Sequence, residues 1–349
     1  EGSLISILDQ TITPMGGRLL RRWLTHPLKQ LDSIQERLKR VEILFEQRTV
    51  RKDIRESLKK LGDLERLISR ICVGRCTARD IRQLGFSLQV IPDLLAHTAE
   101  LESDILYQEL QSLPNTSEWV NYIDEHIIDE PPATIRDGGI IRTGWNSELD
   151  ELRDIAQNGK KYIAKIKDTL TQEAGISSLK IGYNKIFGYY IEITNAHKDK
   201  VPDYFIRKQT LVNAERYITP ELKEIEEKIL SAEDKSKALE ADLFEQVREH
   251  IAQFSDEIQR IATTISTLDV YQSLAQIAFA NGYSKPELDQ GSTLEIIKGR
   301  HPVVEKTLPV DEPFIPNDIH LDQKKEQIMI ITGPNMAGKS IILRQTGLI

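Results

Sequence analysis

Residues 220–281 read PELKEIEEKILSAEDKSKALEADLFEQVREHIAQFSDEIQRIATTISTLDVYQSLAQIAFAN, and this stretch sets the expected architecture. Its apolar residues recur every three or four positions from Leu222 to Leu268, the spacing of one face of an α-helix. No proline or glycine interrupts residues 221–281. At the helical rise, about 55 residues would span roughly 80 Å, which is longer than a compact domain of this size. The sequence therefore predicts one long, projecting helix.

A second helical pattern covers about residues 147–174 and stops at Gly175, a residue type that favours a helix end. Residues 178–218, between the two helices, are β-branched and aromatic with interrupting glycines, as in Gly188–Thr194. We expect a small β module at the tip of two antiparallel helices whose apolar faces meet. A compact bundle with an inserted hairpin fits the same periodicity and stays open as an alternative.

The chain from Ile12 to about Ser112 has the pattern of a series of amphipathic helices. One helix is predicted to open at Pro14, and another at Ser33-Ile34-Gln35-Glu36, which has the form of a capping box. Cys72 and Cys76 lie four positions apart in a helical pattern, without a Cys or His cluster nearby. We expect them to be ordinary packing residues rather than metal ligands.

The composition is that of a soluble multidomain chain, with 349 residues, 40% apolar and 29% charged. Two or three domains are expected from this length. No run approaches the length of a membrane span and the first residues do not resemble a signal peptide, so we expect a cytosolic protein. The net charge of −8 argues against a protein that coats nucleic acid, but it says little about any one patch.

Beyond about Gly291 the pattern indicates the beginning of an α/β domain. Residues 293–297 and 327–332 are predicted strands, the second of them buried. Gly333-Pro334-Asn335-Met336-Ala337-Gly338-Lys339-Ser340 then fits G-x-x-x-x-G-K-[ST], a loop whose N–H groups surround phosphates. Lys339 would reach the β- and γ-phosphates of ATP, and the Ser340 hydroxyl would ligate Mg²⁺.

ATP hydrolysis also needs an acidic strand end, the Walker B motif, and a group that orients the attacking water. Only nine residues follow Ser340, and we expect no catalytic residue among them. We therefore expect negligible turnover by these 349 residues, even if a longer protein hydrolyses ATP.

Charge is distributed unevenly around the β module. Residues 178–216 carry seven Lys and Arg against four Asp and Glu, a balance of +3, whereas residues 221–260 carry six against twelve, a balance of −6. This contrast is equally compatible with weak, salt-dependent and sequence-independent contact between the module and DNA phosphates and with a merely solvated face. For Tyr183, Phe187, Tyr189 and Tyr190, strand alternation favours core packing over stacking on bases.

Several segments together resemble the MutS family. Thr332–Ser340, followed by Leu343-Arg344-Gln345, resembles the family's phosphate loop, in which the Pro-Asn-Met insert is more specific than a generic loop. The other segments that resemble the family are residues 2–24 at the start of the helical core, 182–193 and 207–217 in the clamp, and 299–302 and 312–317 before the phosphate loop. The resemblance covers essentially the whole chain, in order.

The resemblance implies a multidomain, mainly α protein. Its parts would be a helical core with long antiparallel lever helices, a small antiparallel β clamp inserted at their tip, and the beginning of a P-loop α/β ATPase domain. The corresponding ranges are 1–160 for the core and outgoing lever helix, 161–220 for the clamp, 221–286 for the returning lever helix and core, and 287–349 for the truncated ATPase domain.

In function, the resemblance implies an ATP-dependent DNA mismatch-repair protein that binds mismatched duplex DNA as a dimeric clamp, with ATP switching the clamp state. The implied partners are mismatched double-stranded DNA, a second copy of the protein and a downstream ATPase of the MutL type. The implied location is the bacterial cytoplasm, at the nucleoid, with no membrane involved.

The resemblance also assigns site residues. Nucleotide would contact Phe314 and Ile315, which pack against adenine, and the loop residues Gly333, Pro334, Asn335, Met336, Ala337, Gly338, Lys339, Ser340 and Ile341. DNA would contact Asn184, Lys185, Arg207, Lys208, Gln209, Asn213 and Arg216. From the residues alone, Phe314 fits a core aromatic equally well.

The chain departs from the family at two points. Ile341 replaces a threonine and removes a hydroxyl near the phosphates, while Ser340 keeps the Mg²⁺ role. No Phe is followed by Glu two residues later, so we expect the family's Phe-x-Glu mismatch reader and its connector domain to lie outside these residues. A family member that acts on recombination junctions, and a chromosome-maintenance ATPase with long helical arms, are the alternatives.

Overall fold

The computed structural model describes residues 2–101, 105–184, 188–309, 311–334 and 338–349. These residues are mainly helical, which confirms the predicted class. They divide into two compact units: unit 1 comprises residues 1–69, 86–118 and 254–349, and unit 2 comprises residues 70–85 and 119–253. Within the described ranges, no helix is both long and apolar enough to cross a lipid bilayer.

The described helices are α1 (Leu4–Leu8), α2 (Pro14–Thr25), α3 (Leu31–Glu46), α4 (Arg48–Leu58), α5 (Leu64–Cys72), α6 (Ala78–Gln89), α7 (Ile91–His97), α8 (Ile105–Gln111), α9 (Ser117–His126), α10 (Ser147–Ala174), α11 (Pro220–Ala252), α12 (Ser255–Asn281), α13 (Pro302–Thr307) and α14 (Lys339–Leu348). The described strands are β1 (Lys180–Asn184), β2 (Gly188–Thr194), β3 (Ile206–Thr210), β4 (Ala214–Ile218), β5 (Leu294–Gly299) and β6 (Asn317–Leu321).

In unit 1, the buried helix α12 packs against α2, α3 and α4. The carboxylate of Asp269, fully buried on α12, accepts hydrogen bonds from the Ile12 and Thr13 amides at 2.9 and 2.7 Å, and from the Thr13 hydroxyl at 2.6 Å. A Cβ at Gly16 would lie 2.2 Å from this carboxylate. Glycine at that position therefore allows the start of α2 to approach Asp269.

In unit 2, α10 and α11 pack side by side in opposite directions. Arg153, early in α10, pairs with Glu240, late in α11, whereas Leu170 and Leu222 share one apolar cluster at the other end. Gly159 lies between these points, and a Cβ there would be 3.1 Å from the Ile229 side chain. The predicted antiparallel pairing is confirmed, and α10 ends at Gly175 in the left-handed conformation, as predicted.

The Glu240 side chain joins the helix pair to the loop that precedes α10. It is almost fully buried, and its carboxylate accepts hydrogen bonds from the consecutive backbone amides of Gly139, Ile140 and Ile141, with distances of 2.8 Å to Gly139 and 2.9 Å to Ile141. The Arg153 guanidinium donates to the same carboxylate at 2.5 Å. These bonds satisfy a charge that would otherwise be costly to bury.

The β module is a four-stranded antiparallel sheet with strand order β1-β2-β4-β3. Its inward face packs on the ends of α10 and α11. The apolar cluster that joins them comprises Ile163, Ile166, Leu170, Ile176, Leu179, Ile191, Ile193, Phe205, Tyr217 and Leu222. The prediction of a small β module between the two helices is therefore confirmed, and the projection of a lever from the rest of the protein stays a prediction.

Two helix boundaries differ from the predictions. The stretch 220–281 forms two helices, because α11 ends at Ala252 and α12 begins at Ser255. Asp256 and Glu257 occupy the first turn of α12, where acidic side chains interact favourably with a helix N-terminus, so a start signal lies within the unbroken periodicity. The predicted capping box at Ser33 is also wrong, since α3 already begins at Leu31 and Ser33 lies inside its first turn.

The predicted buried strand at residues 327–332 is also wrong. Ile328 and Ile330 are 83% and 82% exposed, and no strand is formed there within the described residues. An apolar strand becomes buried only when neighbouring strands and helices cover it, and β5 and β6 pair with each other instead. The strand predicted at residues 293–297 is confirmed as β5.

The two cysteines do not share one helix. Cys72 ends α5 and is exposed, whereas Cys76 is buried in the following loop, after Gly74 has taken a left-handed conformation. The expectation of a packing residue is right for Cys76 and wrong for Cys72. Burial raises the pKa of the Cys76 thiol to about 11, so this thiol stays protonated at neutral pH.

We predict that Glu240→Gln lowers the free energy of unfolding of unit 2 by about 3 kcal/mol, because it breaks a buried ion pair and turns an amide group toward backbone donors. Glu233→Gln is the matched control on the same helix; its 2.7 Å pair with Lys237 is exposed to solvent, and a much smaller loss is expected. Urea titration of both variants measures the difference. Equal losses would contradict the role given to Glu240.

Candidate functional site

The outward face of the β module carries a row of polar residues across all four strands. In register, Lys180 faces Glu192, Glu192 faces Arg216, and Arg216 faces Gln209. The Arg216 guanidinium pairs with the Glu192 carboxylate at 3.1 Å and donates to the Gln209 amide oxygen at 3.0 Å. Arg216 and Gln209, both predicted to bind DNA, are therefore bonded to each other.

Tyr190 lies on the same outward face, next to Arg216. The Arg216 guanidinium carbon is 4.2 Å from the centre of the Tyr190 ring, within cation–π range. The ring also lies over Gly182 on β1, where a Cβ would be only 2.7 Å from the ring. Glycine at position 182 thus makes room for the Tyr190 ring. The Arg216 guanidinium contacts the same ring.

The Glu215 carboxylate forms ion pairs with two cations of the module. This carboxylate, on β4, is 4% exposed and lies 3.0 Å from the Lys198 ammonium and 3.3 Å from the Arg207 guanidinium. The Tyr217 hydroxyl also donates to it. These bonds, led by the one from Tyr217, lower the pKa of Glu215, while burial and the bond to Glu215 raise the pKa of Tyr217 to about 12. The contacts of Glu215 are not apparent in the sequence, since they depend on strand register.

Lys208 differs from the other cations of the module. It lies on the edge strand β3 at a shift in register. Arg207 pairs with Tyr217 and Gln209 pairs with the adjacent Arg216, so Lys208 is the extra residue between them. Such a bulge adds one residue to the strand and changes the direction in which the side chain of that residue points. Among the described residues of the module, Lys180, Lys200 and Lys208 are exposed cations for which the structure shows no ion pair.

The turn between β3 and β4 forms the end of this edge. Val212 is 91% exposed, and Asn213 beside it is also exposed. Asn195 holds the turn, since its side-chain amide donates to the Val212 carbonyl at 3.1 Å and its backbone amide donates to the Asn213 carbonyl at 3.2 Å. Asn213 therefore lies at the same edge as Lys208.

The remaining predicted DNA contacts lie in the β1–β2 hairpin. Asn184 ends β1 and is partly exposed, whereas Lys185 lies outside the described residues. The aromatic residues of the hairpin differ in position: Tyr189 packs against the apolar cluster, while Tyr183 is 55% exposed with its ring edge on Tyr189. Core packing is thus right for Tyr189 and wrong for Tyr183 and for the outward-facing Tyr190. Phe187 is outside the described residues.

The phosphate loop precedes α14, as predicted. Gly338, the N-cap of this helix, has a φ of +86°, a conformation that favours glycine. The Lys339 ammonium donates to the backbone carbonyls of Gly333 and Pro334, at 3.1 Å for Pro334. Ser340 and Ile341 follow in the first turn. The predicted contacts Asn335, Met336 and Ala337 lie outside the described residues.

The residues predicted to pack on adenine precede β6. Phe314 is only partly buried and Ile315 is 80% exposed, so Phe314 is not a core aromatic in this structure. The Asn317 side chain donates to the Ile315 carbonyl at 3.0 Å and fixes this end of β6. An exposed apolar pair is compatible with a stacking surface for a base, and its contact with nucleotide stays a prediction.

A family model for MutS domain III matches residues 1–275. The chain belongs to the MutS family. It is 50% identical over 349 residues to the DNA mismatch repair protein MutS of Salinibacter ruber, covering all of this chain and 38% of that protein. The MutS protein of Chlorobium chlorochromatii is 50% identical over 352 residues, covering all of this chain and 40% of that protein.

A third MutS protein, from Bacteroides fragilis, is 47% identical over 347 residues, covering 99% of this chain and 40% of that protein. The chain thus spans about two-fifths of the length of the curated relatives it matches. The domain III match ends before β5, whereas the MutS relatives match along essentially the whole chain, including the phosphate loop. Family membership confirms the resemblance found in the sequence.

We predict that the stability of the β module falls on acidification because of Glu215. The pKa of Glu215 in the folded state is below its ordinary value of 4.5, so its stabilisation is present at neutral pH and lost as the pH falls through the folded pKa. Glu215→Gln should weaken the module at neutral pH and flatten its acid dependence. The control Asp203→Asn, an exposed acid of the same module, should keep the wild-type profile.

Urea-dependent hydrogen exchange of the β4 peptide, compared at about pH 7 and about pH 4, measures this dependence. An acid dependence that is the same in Glu215→Gln and the wild type would contradict the assignment.

Proposed function

We propose that this chain is part of a DNA mismatch-repair protein in which residues 178–218 hold duplex DNA by its phosphate backbone. The observation that carries this proposal is the edge strand β3, where Lys208 is exposed at a bulge without an ion pair to any described residue, on the same edge as the exposed Asn213. The names of the relatives, all DNA mismatch repair protein MutS, support the same process.

Backbone contact is favoured over base stacking by the positions of the aromatic rings. Tyr189 packs inward and the Arg216 guanidinium lies over the Tyr190 ring, so among the described aromatic residues of the β1–β2 hairpin only Tyr183 has a largely exposed ring. Lysine side chains and asparagine amides at an edge are suited to phosphate oxygens, which carry no sequence information. Binding by this edge would therefore be weak, salt-dependent and independent of sequence.

Arg207 has a second part in the proposed interface. Its guanidinium is 57% exposed and shares Glu215 with Lys198. A phosphate that approaches β3 would compete with Glu215 for Arg207, because both are anions and the guanidinium can donate hydrogen bonds to either. Lys208 needs no such exchange. We therefore assign the larger contribution to Lys208 and a smaller one to Arg207.

We further propose that the loop 333–340 binds ATP with Mg²⁺. Support comes from the Lys339 ammonium, which points to the loop carbonyls of Gly333 and Pro334, and from the N-terminus of α14, a site suited to anions. On phosphate binding, Lys339 would exchange these carbonyls for phosphate oxygens. Ser340 would hold the metal, and Phe314 and Ile315 would cover the base.

The larger assembly is also a proposal. A second copy of the protein would complete the grip on mismatched duplex DNA, ATP would switch the state of the clamp, and an ATPase of the MutL type would act downstream. The chromosome-maintenance alternative is set aside because the chain belongs to the MutS family. The relatives' names favour mismatch repair over a junction-acting family member.

We predict that Lys208→Ala weakens binding of duplex DNA and reduces the slope of log affinity against log salt concentration by about 1, the value for one lost phosphate contact. The matched control is Lys235→Ala, which removes an exposed lysine without an ion pair from the acidic helix α11. Fluorescence anisotropy with a labelled duplex at several salt concentrations measures both. Equal slopes for the two variants would refute the assignment of Lys208.

A further inference from the structure

The dipeptide Arg300-His301 lies in unit 1 between β5 and α13, and its two side chains contact different helices. Arg300 contacts the end of α12, and His301 contacts the beginning of α13. Neither residue belongs to the phosphate loop. Their position between these two helices gives them a structural role that the proposed nucleotide contacts do not include.

Arg300 holds the C-terminal end of α12. Its guanidinium donates to the carbonyls of Asn281 at 2.9 Å and Gly282 at 3.1 Å, and pairs with the Glu305 carboxylate of α13 at 2.7 Å. The last carbonyls of a helix lack intrahelical partners and carry partial negative charge, so a guanidinium is well placed there. The planar fork of arginine serves these acceptors together, which a lysine ammonium does less well.

His301 holds the beginning of α13. It is 4% exposed, and its Nδ1 accepts hydrogen bonds from the Val303 and Val304 amides, both at 3.3 Å, so it caps α13. Burial, and then the nearby positive charge of Arg344 on α14, lower the pKa of His301. The imidazole is therefore neutral at pH 7, which its acceptor role requires.

Gln345 provides a contact between α14 and this segment. Its side chain is fully buried against Gly299, where a Cβ would lie 2.5 Å from the Gln345 Nε2. Neither its amide nitrogen nor its amide oxygen has a hydrogen-bond partner among the described residues. A buried amide without partners is unfavourable, so a small displacement of α14 that supplies a partner would be favoured.

We propose that Arg300 is a positioning residue that transmits a displacement of α14 to the C-terminal end of α12. The physical path is contiguous: Gln345 of α14 packs on Gly299, and the adjacent Arg300 bonds to the last carbonyls of α12. An anion bound at the N-terminus of α14 would act on this helix directly. The inference rests on the proposed nucleotide binding, which supplies the displacement.

The test is hydrogen exchange of the 349-residue chain, measured by mass spectrometry with and without MgADP, together with the MgADP affinity from equilibrium dialysis. In the wild type, we expect MgADP to change exchange at residues 276–284 by roughly fivefold or more, the lower end of usual coupling between sites. Arg300→Gln should lose this response while residues 338–348 still respond and MgADP affinity is unchanged. Arg300→Lys, which keeps the charge but lacks the fork, should show a reduced response.

Two controls separate the possible outcomes. Arg18→Gln removes an arginine of unit 1 with similar exposure, paired with Asp63 at 2.7 Å and Glu65 at 2.6 Å, and should keep the full response. Lys339→Ala should abolish MgADP binding. If the wild type does not bind MgADP, the proposed nucleotide site fails and this inference falls with it. If MgADP binds but residues 276–284 do not respond, or respond equally in Arg300→Gln, only the inference is overturned.

Discussion

The buried carboxylate of Glu240 is the interaction on which the arrangement of unit 2 depends. This carboxylate accepts hydrogen bonds from three consecutive backbone amides and from the Arg153 guanidinium, so one side chain in the second half of α11 fixes the loop at residues 139–141 and the beginning of α10. At the other end of the helix pair, the apolar cluster and a hydrogen bond from the Tyr204 hydroxyl to the Glu173 carboxylate at 2.8 Å hold the β module. The hydrogen bonds of Glu240 at one end and the apolar cluster at the other thus keep α10 and α11 paired in one register.

In the β module, the two faces of the sheet contribute to stability, whereas one edge is available for binding. Its inward face is apolar and packs on the helices, and its outward face is bonded within itself through Arg216, Glu192 and Tyr190. The charged side chains on these two faces are therefore largely paired within the protein when no ligand is bound. The edge strand β3 is different, because its bulge exposes Lys208, which forms no ion pair within the part of the chain that the structure describes. A surface of this kind can meet a regular anionic backbone without reorganising the sheet.

Periodicity and helix-breaking residues were enough to predict the mainly helical class, the β module and the helix that follows residues 333–338. The end of α10 at Gly175 and the beginning of α2 at Pro14 follow from local backbone preferences. The failures involve information that is not local. The break at Ser255 lies within continuous apolar spacing, burial of residues 327–332 requires neighbouring strands, and the contacts of Glu215 and Lys208 depend on strand register and a bulge. The predicted nucleotide contacts were brought together only in part, since residues 335–337 lie outside the described ranges.

The central claim is that duplex DNA contacts the β module rather than the helical core. Hydroxyl-radical footprinting of the 349-residue chain, with and without a mismatched duplex, tests it most directly by measuring protection along the whole sequence. The account predicts protection concentrated in residues 178–216 and greatest around Lys208 and Asn213, with the acidic helix α11 unprotected. Protection confined to residues 1–130 would contradict it.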